Sequence, residues 1–212
     1  MSIPGGLQPH PADLNIWQAE PGFDGREADA EFTRLSQALR LVQDRFTAAR
    51  PTSLAAKEAT DLLTAVAALL EPFAVRERDQ VAGRRLDLPG RGQTLVPPFY
   101  VAEWDNVSVR GSVTFTRFYL GGNGAAHGGA LPLFFDEVLG RLASAGARPR
   151  SRTAYLHVDY RKITPIGPEL QVTARIDREE GRKLFLSGEV LHDGVVTAEA
   201  HALFVQLRPG QP

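Results

Sequence analysis

The residues best suited to chemistry are His127, Gly128 and Gly129, in the run Asn123-Gly-Ala-Ala-His-Gly-Gly-Ala, and Asp136, nine residues after the histidine. A glycine loop presents bare backbone N–H groups, and the start of a helix adds the positive end of its dipole. Together they can hold a developing oxyanion. A carboxylate in the apolar stretch Leu131-Pro-Leu-Phe-Phe-Asp-Glu-Val-Leu-Gly can act as general base or as nucleophile. The combination points to acyl transfer or hydrolysis. Each residue also has a plainer reading. Asp136 can be a solvated helix edge. The two glycines can mark a tight turn. His127 is expected to shape the loop rather than to serve as a base. Glu137 lies about 100° further round a helix than Asp136, so only one of the two can face a site. Glu137 is therefore expected to be structural.

The elements that must position these groups are readable from periodicity. Residues 1–25 are rich in Pro, Gly and polar residues and read as an extended arm. From Glu27 to Ala49, Phe32, Leu35, Leu39, Val42 and Phe46 recur at helical spacing, and Pro51 ends the pattern. Thr52 or Ser53 can cap a second helix that runs to Pro72. Residues 1–75 thus form an arm and a helical hairpin, with 76–98 as a charged, Gly- and Pro-rich linker. Residues 99–212 carry the chemistry. Phe99–Glu103 and Val107–Leu120 read as strands, and a helix follows from Gly128 to about Ala145. Pro132 is tolerable near its start. Four strands then follow at Thr153–Tyr160, Leu170–Asp177, Leu184–Leu191 and Val195–Leu207. In the first, Ala154, Leu156, Val158 and Tyr160 alternate with Thr153, Tyr155, His157 and Asp159. Glu180-Gly181 and Asp193-Gly194 are hairpin signals. The fold class is α+β: a curved antiparallel sheet around one central helix, with an N-terminal helical extension.

Composition closes several alternatives. The 212 residues are 43% hydrophobic with formal net charge −1, which leaves no electrostatic footprint for nucleic acid. There is no cysteine, so disulfides, thiolate metal sites and cysteine nucleophiles are excluded. No signal peptide or membrane-length apolar run is apparent, and a cytoplasmic protein is expected. The run Gly122-Asn-Gly-Ala-Ala-His lacks the third glycine of a dinucleotide fingerprint. No P-loop Lys and no Gly-x-Ser-x-Gly elbow occur. His157 and Asp159 share a strand face, but no third metal ligand accompanies them.

On these residues the chain resembles the hotdog-fold acyl-CoA thioesterases of the 4-hydroxybenzoyl-CoA thioesterase superfamily, in particular the phenylacetate-degradation type. The resemblance rests on His127-Gly128-Gly129, on Asp136, and on Thr153 seven residues before Tyr160. Asp159-Tyr-Arg-Lys-Ile-Thr-Pro-Ile-Gly-Pro and Val196-Thr-Ala-Glu-Ala also look like its landmarks. It covers roughly residues 100–207 and implies the hotdog fold and hydrolysis of an acyl-CoA without cofactor or metal. It also implies catalytic roles for Asp136, Gly128 and Thr153, and substrate-binding roles for Asn123, His127 and Gly129. A homodimer or a dimer of dimers is implied, each site taking its loop from one subunit and Asp136 from the other. Gly121 departs from the pattern, because relatives carry Asn there, six residues before the histidine. Two other readings stay open: a non-hydrolytic acyl-CoA-binding protein, supported by Gly121, and a hotdog hydratase or dehydratase.

Overall fold

Helix α1 spans Glu27–Ala48 and α2 spans Ser53–Leu70, separated by Pro51. The Thr52 hydroxyl caps α2 by accepting from the Ala55 N–H at 3.3 Å. The computed structural model describes Trp17 and residues 27–146, 148–208, 210 and 211. The expected N-terminal arm therefore lies outside the described residues, Trp17 excepted.

The strands are β1 (Phe99–Trp104), β2 (Ser108–Val113), β3 (Leu120–Gly122), β4 (Ala125–Ala126), β5 (Ser151–Tyr160), β6 (Leu170–Glu180), β7 (Lys183–His192) and β8 (Val195–Gln206). Six of them form one sheet in the order β1-β2-β6-β7-β8-β5, every pairing antiparallel. Asp193 and Gly194 form the two-residue turn between β7 and β8, both with positive φ, as a type I′ hairpin requires. The expected strand over 107–120 is shorter than its apolar pattern. It ends at Val113, and a single 3₁₀ turn at Arg117–Tyr119 carries the chain into β3. There Phe115 and Tyr119 leave the sheet and pack edge to face in the core.

Helix α3 (Ala130–Ala143) lies on one face of the sheet against β5, β6, β7 and β8. Its start is two residues later than the spacing suggested. Gly129 is the N-cap and Pro132 falls in the first turn, where no intrahelical N–H bond is lost. Leu131, Phe134, Phe135, Val138, Leu139 and Leu142 are fully buried from the helix. Val109, Val113, Leu170, Leu184, Leu186 and Phe204 meet them from the strands. The helix comes so near the sheet that a Cβ on Gly188 would sit 3.4 Å from both Leu139 and Phe135. This antiparallel sheet on one long helix, preceded by helices, is the α+β hotdog arrangement.

The apolar stripe of α1 does not face this core. Leu35, Leu39, Val42 and Phe46 are exposed, Phe46 by 79%. The helix docks through polar side chains and through the half-buried Phe32, whose ring lies against Gly92. Arg40 donates to the carbonyls of Gln93 and Val96, and Gln43 to Thr94 at 3.4 Å. Asp44 accepts from the Phe118 N–H at 2.8 Å. No described residue of α2 is buried. The segment 76–98 holds only 3₁₀ turns, yet Arg85, Gly90, Gly92 and Val96 are buried within it.

Where β1 crosses β2, a Cβ on Gly111 would lie 2.1 Å from the Tyr100 carbonyl oxygen, a backbone atom that cannot swing aside. Gly111→Ala is expected to destabilise the fold by at least about 2 kcal/mol through this overpacking. Urea unfolding of the variant beside the parent measures it.

Candidate active site

The loop before α3 begins as a β3–β4 hairpin whose two-residue turn, Asn123-Gly124, has positive φ at both positions. Asn-Gly is the preferred pair for such a turn, which accounts for Asn123 by conformation. Its side chain makes no hydrogen bond among the described residues. Next to the turn, a Cβ on Gly121 would come within 2.7 Å of the His127 Cα. A side chain at 121 would clash with the His127 backbone on this path, at the position where the related pattern carries Asn. The His127 N–H is fixed by the Tyr119 carbonyl at 2.7 Å. Tyr119 is itself held by the Leu95 carbonyl at 3.0 Å and by Arg40 of α1. Burial pushes its phenol pKa up, and the neighbouring Arg40 partly opposes the shift.

Gly128 and Gly129 are not glycines for the sake of a left-handed backbone, since neither has positive φ. A Cβ on Gly128 would only touch Tyr160, at 3.7 Å. The absent side chain keeps the surface over Gly128 clear, as a ligand's close approach to backbone demands. The peptide group between Gly128 and Gly129 is bonded at both ends. The Gly129 N–H donates to His127 Nδ1 at 2.9 Å, and the Tyr160 hydroxyl donates to the Gly128 carbonyl at 2.7 Å. Neutral His127 therefore carries its proton on Nε2, an assignment made from the hydrogen bond. His127 organises the loop. The preceding N–H, that of Gly128, has no acceptor among the described residues, and Gly128 is exposed.

Asp136 is exposed on α3, and Thr153 Oγ1 of β5 donates to its Oδ1 at 2.7 Å. Thr153 and Tyr160 are seven apart, so strict alternation would put them on opposite faces of the strand. It does not hold here. A β-bulge between Thr153 and Tyr155 inserts one residue, so Thr153 pairs with Phe204 and Tyr160 with Ala198. Phe204 and Ala198 are both core residues on the face that α3 covers, so both site residues turn to the helix. His157 and Asp159 sit 3.3 Å apart, paired with His201 and Glu199. Among the described residues no cluster of three or more His, Asp or Glu could hold a metal ion.

Glu137 points the other way. It is 9% exposed and takes a 2.7 Å hydrogen bond from Arg91. Its second oxygen is buried without a partner. Arg91 stands between Gly90 and Gly92, and all three have positive φ. That tight loop aims the guanidinium at α3, and no periodicity in the sequence announced it. Arg141, one turn beyond Glu137, lies over the Trp17 ring at 4.7 Å. Burial pulls its guanidinium pKa down to about 10, against the opposing pull of Glu137. Two adjacent carboxylates thus have opposite fates, one exposed beside the glycine loop and the other tied into the interior.

Comparison with known proteins follows the same outline. Residues 123–199 match the model of the thioesterase superfamily. Acyl-coenzyme A thioesterase THEM4 of Mus musculus is 35% identical over 92 residues, 42% of this chain and 39% of that protein. Its Bos taurus counterpart is 33% identical over 88 residues, 41% of this chain and 35% of that protein. The match thus spans well under half the length of these curated relatives. A solved thioesterase superfamily protein, RHA08564, superposes with TM-score 0.74 at 26% identity. It covers 93% of this chain and 100% of its own, so its likeness extends beyond the sheet to the N-terminal helices. Among the described residues no helix is long and apolar enough to cross a membrane.

The opposed carboxylates have separable stabilities. Glu137→Gln weakens a buried, charge-assisted bond and is expected to cost about 1–2 kcal/mol. Asp136→Asn, on the exposed face, is expected to stay within about 0.5 kcal/mol of the parent. Chemical denaturation of both variants checks the contrast.

Proposed function

We propose that the chain, whose residues 123–199 match the model of the thioesterase superfamily, hydrolyses an acyl-CoA thioester to the free acid and CoA. One observation carries this reading. A bare Gly128 N–H at the start of α3 has no acceptor among the described residues, while the next peptide is bonded at both ends. The thioester oxygen would take that hydrogen bond, and the helix dipole would favour the charge that develops there. Asp136 would take the proton from a water that attacks the carbonyl carbon. Collapse of the tetrahedral intermediate breaks the C–S bond, and the departing thiolate recovers the proton. The carboxylate can also attack directly and form a mixed anhydride that water then cleaves; both routes use the same atoms. Thr153 holds Asp136 at one oxygen and leaves the other free for either task. We read 99–212 as the catalytic domain and α1–α2 as its extension.

We further propose that the working unit pairs two copies, each site taking its loop from one and Asp136 from the other. Along α3 the span from Gly129 to Asp136 is about 10 Å. On the direct-attack route, a carboxylate attacking a carbonyl held by Gly128 reaches only about 6–7 Å, from contact distances of about 3 Å on either side of the C=O bond, so that route favours a carboxylate from a second chain. Among the described residues no strand pairs with the outer edge of β5, and pairing it with a second β5 would satisfy its hydrogen-bonding groups.

Free-thiol release across short, long and aromatic acyl-CoAs tests the activity, and the absence of cysteine keeps the background low. Turnover by the parent is expected, with a loss of about 100-fold in Asp136→Asn. Gly128→Ala is expected to fold normally and lose turnover to a similar extent. Tight binding of acyl-CoA without release would instead establish a non-hydrolytic binding protein. For the shared site, mixing Asp136→Asn chains with Gly128→Ala chains is expected to restore about a quarter of parental turnover, since half the dimers regain one intact site. No recovery on mixing would place both groups of each site on one chain.

A further inference from the structure

Tyr160 does not belong to the two groups that the proposed hydrolysis uses, yet it touches the loop that presents one of them. We propose that Tyr160 is a positioning residue for that reaction: its hydroxyl holds the Gly128 carbonyl and thereby aims the Gly128 N–H at the thioester oxygen. The proposal rests on the hydrolytic reading of the site given above.

Gly128 and Gly129 are consecutive residues without Cβ atoms, so their backbone is intrinsically freer than any other pair would be. A hydrogen-bond donor assists catalysis only if it is already oriented when charge develops. Some contact must therefore remove this freedom, and the structure supplies two. His127 Nδ1 accepts from the Gly129 N–H at 2.9 Å, and the Tyr160 hydroxyl donates to the Gly128 oxygen at 2.7 Å. The two bonds grip opposite ends of one peptide group. With that plane fixed, the only rotation left to the Gly128 N–H is about Gly128's own Cα, and Ala130 limits it by donating to the His127 carbonyl at 2.8 Å. His127 is a neighbour in sequence and moves with the loop. Tyr160 is the only one of the two that ties the loop to the sheet.

The tyrosine is well placed for this task. Its backbone pairs with Ala198 of β8, and the next two N–H groups, of Arg161 and Lys162, both donate to the Thr197 carbonyl at 2.8 and 3.0 Å. The Arg161 side chain is locked to Glu199. The ring is 55% exposed, so it contributes little to the core, and a plain packing role explains neither its hydroxyl nor its aim. The bulge after Thr153 brings Tyr160 onto the helix-facing side of the strand.

The test compares the parent, Tyr160→Phe and Asp136→Asn with the best acyl-CoA of the panel. A fourth protein carries 4-aminophenylalanine at position 160, which keeps a donor at the ring's end. For Tyr160→Phe the expected result is a kcat lower by about tenfold, KM within about twofold of the parent, and an unchanged unfolding midpoint. The amino analogue is expected to recover most of the loss. Amide hydrogen exchange at Gly129, followed by NMR, should quicken in Tyr160→Phe alone. An unchanged kcat overturns the proposal, as does a rise confined to KM, which would make Tyr160 a substrate contact. A fall that tracks the unfolding midpoint overturns it too, as a structural effect. If the parent hydrolyses no acyl-CoA, the activity reading fails by itself. The exchange measurement still reports whether Tyr160 holds the loop, so the two failures are distinct.

Discussion

Everything at the site depends on how α3 is fastened to the edge strand β5. Two side-chain hydrogen bonds join them, Thr153 to Asp136 and Tyr160 to the Gly128 carbonyl. Between these points the helix rises about 1.5 Å per residue and the strand about 3.3 Å, so two elements of different pitch must be matched at both ends. The matching device is one extra residue. Without the bulge after Thr153, a seven-residue spacing would turn one of the two side chains to the outer face, and either the carboxylate or the glycine loop would lose its anchor. The apolar core beneath, from Phe134 to Phe204, sets the helix on the sheet. It is the bulge that sets the polar groups against each other.

The second constraint is charge placement on α3. Successive helix residues diverge by about 100°, and most of α3 is buried, so its two adjacent carboxylates meet different surroundings. Glu137 is the one taken inside, and a buried carboxylate persists only with a partner. Arg91 supplies it from a loop with three consecutive left-handed residues, two of them glycine. Arg91 itself adopts a conformation uncommon for a side-chain-bearing residue. The result is that Asp136, one residue earlier, faces the glycine loop's side without competition from its neighbour.

Much of this was legible in the sequence, for reasons specific to each element. Strands β6, β7 and β8 were readable because the turn signals Glu180-Gly181 and Asp193-Gly194 agree with their period of two, although the first turn itself falls at Gly181-Arg182. Helix α3 was readable from its stripe of Leu, Phe and Val, and the loop from its glycines. The seven-residue relation between Thr153 and Tyr160 was visible, but its meaning was not, since a bulge leaves no mark in an alternating pattern. Arg91 was hidden in a segment that composition marks as a linker. Helix α1 shows the limit of periodicity: its apolar stripe at Leu35, Leu39 and Phe46 is real, but the helix docks by Arg40, Gln43 and Asp44. A hydrophobic pattern says that a face seeks cover, and it does not say that the cover lies within the same chain.

That last point bears on the chemistry. Gly128, Asp136, Thr153 and Tyr160 are all exposed in the single chain. Hydrogen bonds to a developing oxyanion gain strength only where water is excluded, because a high dielectric weakens them and free water competes for the donor. For the proposed reaction, an exposed N–H and an exposed carboxylate would supply the right groups in the wrong medium. In the proposed hydrolysis, an acyl-CoA would dry one side. The open edge of β5 and the uncovered stripes of α1 and α2 are the surfaces against which a second copy could dry the other. In the proposed pairing, one contact shortens the distance from Gly128 to a carboxylate and removes the solvent around both.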